Sequence, residues 1–199
     1  MTDNTTANIQ KALSAVFSEE EAGNLARLLA SVNPDDTLYY ESIDLPAEKK
    51  DEYILMAFEE RLLIPYASRP GSGSAWEDSM LTMAPGTLYI MPRVIRELVF
   101  EPASKGALDA EKAIRKVLRE KEENLAARLL FFFLAIKPHA VGYKVEAGLM
   151  NTLNQGTGDP LDLHETLDLF ALLGIMSPCT RGPIHNGLLW YEINPALCW

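Results

Sequence analysis

The chain has little of what would place it in several common classes. Its 199 residues include two cysteines, three histidines and no uninterrupted apolar run longer than the eight residues 129–136. Two cysteines, Cys179 and Cys198, are too few for a disulfide-built scaffold and suit a reducing compartment. A membrane-spanning helix needs about 18 apolar residues or more, so eight exclude one. Residues 1–6 are polar, with no basic region leading into an apolar core, so no signal peptide is expected and the protein is expected in the cytoplasm, without a membrane partner. Gly71-Ser-Gly-Ser74 lacks the Lys-Ser/Thr end of a phosphate-binding loop, and no Gly-x-Ser-x-Gly elbow occurs. Basic residues are also scarce: 18 against 28 acids, a net charge of −10. Such a surface repels nucleic acid and anionic lipid unless its bases are gathered in one place.

What is present is an ordinary globular composition, 48% hydrophobic and 23% charged, with uneven electrostatics. Residues 1–104 carry 8 bases and 17 acids, a net of −9, whereas residues 105–199 carry 10 and 11, a net of −1. Two units with different surfaces are implied.

Apolar spacing and capping residues outline the elements. A helix is expected over about 5–17, followed by a capping box at Ser18 and Glu21 and a second helix through Leu25, Leu29 and Val32. Residues 37–41 read as a short strand, and a helix from Pro46 to about Leu63 has nothing to divide it. Residues 62–68 and 75–83 read as two strands around a Gly/Ser-rich turn, and Pro92 opens a further short helix. Beyond a boundary near 101–106, an amphipathic helix breaks near 122–124. It gives way to a segment apolar on every side to about Ile136, which a folded chain is expected to bury. A short strand at 140–144, a helix over 146–153, and a helix from N-cap Asp162 to Gly174 follow. Strands at 175–180 and 188–194 then flank a turn containing Arg181 and His185.

The halves repeat this order. Each carries an arginine beside Gly and Pro in the turn (Arg69, Arg181) and a tryptophan after it (Trp76, Trp190). Helix, strand, helix, helix, strand, wing, strand resembles the winged-helix domain, a helix-turn-helix with an appended hairpin. The second half resembles it well and the first less completely. The expected architecture is therefore mainly helical α+β: a degenerate winged-helix-like unit over 1–104 and a winged-helix unit over 105–199, with short hairpin wings, packed around the apolar helix.

In a winged helix the helix before the wing usually reads the major groove. Here its outward set is His164, Glu165, Thr166 and Asp168, with no base to meet phosphate. DNA binding draws support instead from Arg69 and Arg181 at the wing tips and from Lys112, Arg115, Lys116 and Arg119 on one helix, interleaved with glutamates. His164 and Asp168, four apart on one helix, have a spacing that can hold a metal, with Asp159, Asp162 and Glu165 nearby, but acids at a helix N-terminus are favoured by the helix dipole alone. Cys179, His185 and Cys198 lack a paired Cys-x-x-Cys, so no metal, cofactor or catalytic residue is expected. The resemblance and the charge together imply a non-enzymatic regulatory or scaffolding protein, its wings and helix faces meeting a protein partner. A DNA-binding transcriptional regulator is the alternative and a small enzyme a lesser one. Covering the apolar helix also makes a homodimer an expectation.

Overall fold

A computed structural model describes residues 3–69, 72, 74–101, 107–179 and 189–199. The first two helices, α1 (Asp3–Leu13) and α2 (Glu19–Ala30), are separated by the expected capping box: Ser18 Oγ accepts from the Glu21 amide and the Glu21 carboxylate accepts from the Ser18 amide. Helix α1 is shorter than its apolar pattern. Beyond Leu13 the chain turns, and Phe17 packs edge-on against Trp199 at 5.3 Å. Strand β1 (Thr37–Tyr39), a 3-10 turn at Tyr40–Ser42 and helix α3 (Ala47–Glu59) follow. Helix α3 stops short of Leu63 because Arg61 takes a left-handed φ of 52°, turning the buried Leu62 and Leu63 into strand β2 (Ile64–Pro65).

The returning strand is not 75–83. Trp76 lies in a buried 3-10 turn (Trp76–Asp78), and the strand that completes the sheet is β3 (Leu88–Ile90), its Tyr89 fully buried. Helix α4 (Arg93–Phe100) starts at Pro92 and buries Val94, Ile95, Leu98 and Val99. The second half supplies α5 (Ala110–Lys121), α6 (Ala126–Ile136), β4 (Lys144–Glu146), α7 (Ala147–Gln155), α8 (Leu163–Leu173), β5 (Met176–Cys179) and β6 (Trp190–Ile193). The protein is thus α+β, with two antiparallel three-stranded sheets ordered β1-β3-β2 and β4-β6-β5. Among the described residues no helix is long and apolar enough to cross a membrane.

The repeat is a matter of register rather than residue identity. Asp36 and Tyr143, 107 positions apart, both adopt positive φ just before the first strand of a sheet. Each carbonyl accepts from the far strand's continuation, Met91 N–H and Ile193 N–H respectively. Arg61 and Gly174, 113 positions apart, both adopt positive φ where a helix turns into the second strand. The offset grows by six because helix α7 occupies the place that the 3-10 turn at Tyr40–Ser42 holds in the first half. Buried positions follow suit: Ala22, Leu25, Ala26 and Leu29 of α2 match Leu129, Phe132, Phe133 and Ile136 of α6, and Tyr53, Ile54 and Ala57 of α3 match Thr166, Leu167 and Phe170 of α8. In this register the counterpart of Trp190 is Leu88, not Trp76, and that of Asn194 is Pro92.

The two halves share one continuous hydrophobic core. Where they meet, matched positions engage each other reciprocally. The Asn194 side chain, fully buried, donates through Nδ2 to the carbonyls of Arg61 and Gly174, both at 3.2 Å, while its Oδ1 accepts from Ala196 N–H. Gly174 in turn lies against Pro92, and a Cβ there would overlap the proline ring. Arg61 reaches Glu192 at 3.0 Å, with both side chains nearly buried.

Two substitutions test this junction. Gly174→Ala combines a positive φ of 75° with a clash against Pro92 and is expected to cost about 3 kcal/mol or more. Asn194→Leu leaves the buried Gly174 carbonyl and the part-buried Arg61 carbonyl without this donor and is expected to cost about 2–4 kcal/mol. Urea unfolding followed by circular dichroism reads both, and a change below about 0.5 kcal/mol in either would remove that contact from the account.

Candidate interaction surfaces

The segment expected to return from the first wing packs in part against the second half. Its 3-10 turn packs on β5, with Trp76 N–H donating to Ser177 Oγ at 3.1 Å. Glu77 binds Lys144 Nζ at 2.7 Å, which raises the lysine's pKa. Cys179 sits beneath this contact; burial, followed by the charge of Glu77, lifts its thiol pKa to about 11, so it is held as the thiol rather than a reactive thiolate. Arg69 is exposed, but its guanidinium lies over the Tyr66 ring at 4.6 Å and donates to the Tyr66 carbonyl. A hollow of about 440 Å³ separates this wing from α8; Arg69, Trp76, Leu167, Asp168, Leu172 and Tyr191 help line it. Arg181 and His185 lie outside the described residues.

Helix α8 begins as its sequence indicates, with Asp162 accepting from the Glu165 amide, and ends at Gly174. His164 and Asp168 are both highly exposed, with Nδ1 and Oδ2 3.6 Å apart. Thr166 is not part of the outward set: it faces inward and is buried, as its match Tyr53 is. The bases of the corresponding first-half helix are also engaged within the protein. Lys49 pairs with Glu20 at 2.5 Å, Lys50 donates to the Tyr40 carbonyl and lies over its ring, and Arg61 is held by Glu192 and the Phe58 carbonyl. Among the described residues no group of three or more His, Cys, Asp or Glu side chains could hold a metal ion.

The basic face of α5 is real: Lys112, Arg115, Lys116 and Arg119 line one shallow hollow with Glu120 and Glu123. Much of its charge is spent internally. Lys116 bridges Glu97 and Glu101, each at 2.7 Å, and Arg115 pairs with Glu111. Arg93 holds the other oxygen of Glu97 at 2.9 Å and also Glu120. Glu97 is buried between α4 and α5, so these cations neutralise a carboxylate placed at the seam between the halves.

The apolar helix α6 is not wholly enclosed, contrary to its composition. Ala126, Leu129, Leu130, Phe132, Phe133 and Ile136 are buried, with Phe132 and Phe133 packed around Phe170. Phe131, however, is 63% exposed and Leu134 39%. Tyr143, 43% exposed, shares a hollow with Leu134, and Val141, 80% exposed, lies in the same loop as Tyr143. A helix of 11 residues packed against the core on one side cannot bury its full circumference, which periodicity alone does not reveal. The junction contacts of Arg61 with Glu192 and of Asn194 with the Arg61 carbonyl gave no signal in the sequence either, because these pairs lie 131 and 133 positions apart.

The structure thus defines a class: a duplicated α+β module whose halves lock through matched positions. One family model matches residues 7–199, and the chain belongs to that family, whose description names no activity. No curated protein matches it, and no solved structure does.

Removing Lys116 tests the α4–α5 seam. Lys116→Met leaves Glu97 with only Arg93 and is expected to cost about 1–2 kcal/mol, discounted because the lysine is partly exposed. Lys116 also holds the Glu101 carboxyl below its ordinary value of 4.5. A depressed folded-state pKa gives stability that is present above pH 4.5 and lost as pH falls through the lower folded value. Thermal midpoints across that range should therefore fall more steeply with acidification in the parent protein than in Lys116→Met. Parallel curves would show that the pair contributes nothing.

Proposed function

We propose that the protein is a non-enzymatic scaffolding or regulatory module, a tandem winged-helix protein that works through protein–protein contacts. The order α6, β4, α7, α8, β5, β6 with sheet order β4-β6-β5 supports the winged-helix reading of the second half. The first half, with one helix where the second has two, fits the degenerate version. The division at 1–104 and 105–199 follows the same register. Two free cysteines, one buried and one half-buried, accord with a cytoplasmic location.

The observation that carries the protein-contact reading is the fate of the charges. Bases that could meet a duplex are tied to internal acids at Lys49, Arg61, Arg93, Arg96, Lys116 and Lys144. The helix that should enter a groove instead presents His164, Glu165 and Asp168. Each acid facing phosphate opposes the counterion release that supplies most nucleic-acid affinity. A large apolar side chain left exposed, Phe131, is what a protein surface uses.

Titration of a fluorescent mixed-sequence duplex at physiological salt separates this reading from DNA recognition. No binding tighter than about 100 μM is expected, the weak limit of non-specific association. Micromolar or tighter binding that weakens on Arg181→Ala would sink the protein-contact reading and support a DNA-binding regulator using the second wing.

A further inference from the structure

The repeat supplies an internal control for the exposed face of α6. With the offset of 107, Ala127, Phe131 and Leu134 correspond to Glu20, Asn24 and Arg27 of α2. These are the same outward positions on two helices whose inward positions match. In α2 they are polar, and Glu20 pairs with Lys49. The fold therefore does not require an apolar outer face at this helix, and the sequence of α6 provides one for a separate reason.

We infer that this face is the seam of a homodimer, two copies of α6 packing antiparallel about a two-fold axis between Phe131 and Leu134. Three features select a second copy of this chain. First, the surface is self-complementary in shape. The ridge of Phe131 and Leu134 is flanked by a hollow of about 330 Å³ lined by Ala127, Phe132 and Leu161 and by one of about 650 Å³ lined by Leu134, Pro138 and Tyr143. Antiparallel pairing sets Phe131 opposite Leu134 of the second copy and over that larger hollow, and the same contact repeats across the axis. Second, the rims are oppositely charged. Glu122 and Glu123 precede the helix, whereas Lys137, whose Nζ also donates to the Leu197 carbonyl at 2.7 Å, follows it, so antiparallel copies bring unlike rims and helix dipoles together. Third, Phe131, Leu134, Val141 and Tyr143 leave on the order of 400 Å² exposed, about half of the ~800 Å² that each partner contributes to a standard interface. Ala127, Pro138 and the charged rims supply the remainder.

The inference rests on the protein-contact reading, yet the two fail separately. A monomer ends the pairing without touching that reading, and tight duplex binding ends that reading while a dimer survives.

Sedimentation velocity of the full chain at micromolar concentration should give a mass near twice 22.1 kDa. Phe131→Glu and Val141→Glu should each raise the dissociation constant about 30-fold or more, as an interface anchor does. Far-UV circular dichroism should be unchanged because both side chains already face solvent. The geometry has its own readout in a Cys198→Ser background. Ala127→Cys combined with Pro138→Cys should form disulfide-linked dimers on mild oxidation, while either alone should not. A parent protein that stays monomeric, leaving the face to a different protein, overturns the proposal. So does a dimer untouched by both glutamate variants, or cross-linking by each single cysteine, which marks a parallel pair.

Discussion

Everything in this molecule depends on one buried amide. Asn194 stands where the two halves meet, and its side chain holds the carbonyl that ends α3 in the first half and the carbonyl that ends α8 in the second. Both carbonyls belong to residues with positive φ, positions where the helical ladder has stopped and a buried oxygen needs a donor. Meeting that need with a single side chain fixes the spacing and orientation of the two helix ends. The reverse contact, Pro92 against Gly174, comes from the matched position of the other repeat. The halves therefore associate much as two copies of a symmetric dimer would, with Arg61–Glu192 added on one side only.

That interlocking explains how the protein spends its charge. Joining the halves places Glu97 between α4 and α5, where it requires Arg93 and Lys116. It draws the Trp76–Asp78 turn onto β5, where Glu77 takes Lys144 and Trp76 loses access to solvent. Cations that look available in the sequence become structural. Six of the described bases, Lys49, Arg61, Arg93, Arg96, Lys116 and Lys144, are held in ion pairs within the chain, while the apolar strip of α6 stays exposed.

The sequence spoke clearly wherever the determinant was local. The capping box at Ser18, the N-cap at Asp162, Gly174 as a helix terminator and the break between α5 and α6 all depend on residues within a turn or two of each other, and all hold. Trp76 has the character of a strand residue in its local sequence, whereas its packing is set by β5, a hundred positions away. The signal for the true strand was present in Thr87-Leu-Tyr-Ile90, a β-branched and aromatic run straight after Pro85-Gly86. Of the candidate contact residues, Lys112, Arg115, Lys116 and Arg119 do share a face, but the pairing of Lys116 to Glu97 and Glu101 arises from α4 packing and has no local signature. Phe131 could not be distinguished from Phe132 and Phe133 without knowing which side of α6 the core occupies. The repeat was visible as an order of elements, yet the tryptophans that marked it are not equivalent. Its register is carried by the backbone at Asp36, Arg61, Tyr143 and Gly174, three of which are residues that sequence does not associate with positive φ as readily as glycine.

Native-state hydrogen exchange tests the interlocking most directly. If the two repeats form one cooperative body, the slowest amides of β3 (Leu88–Ile90) and β6 (Trp190–Ile193) should exchange with the same opening free energy, equal to that of global unfolding. Exchange of the β3 amides through a separate opening, several kcal/mol easier than that of β6, would contradict the account and show the halves to be independent units that merely touch.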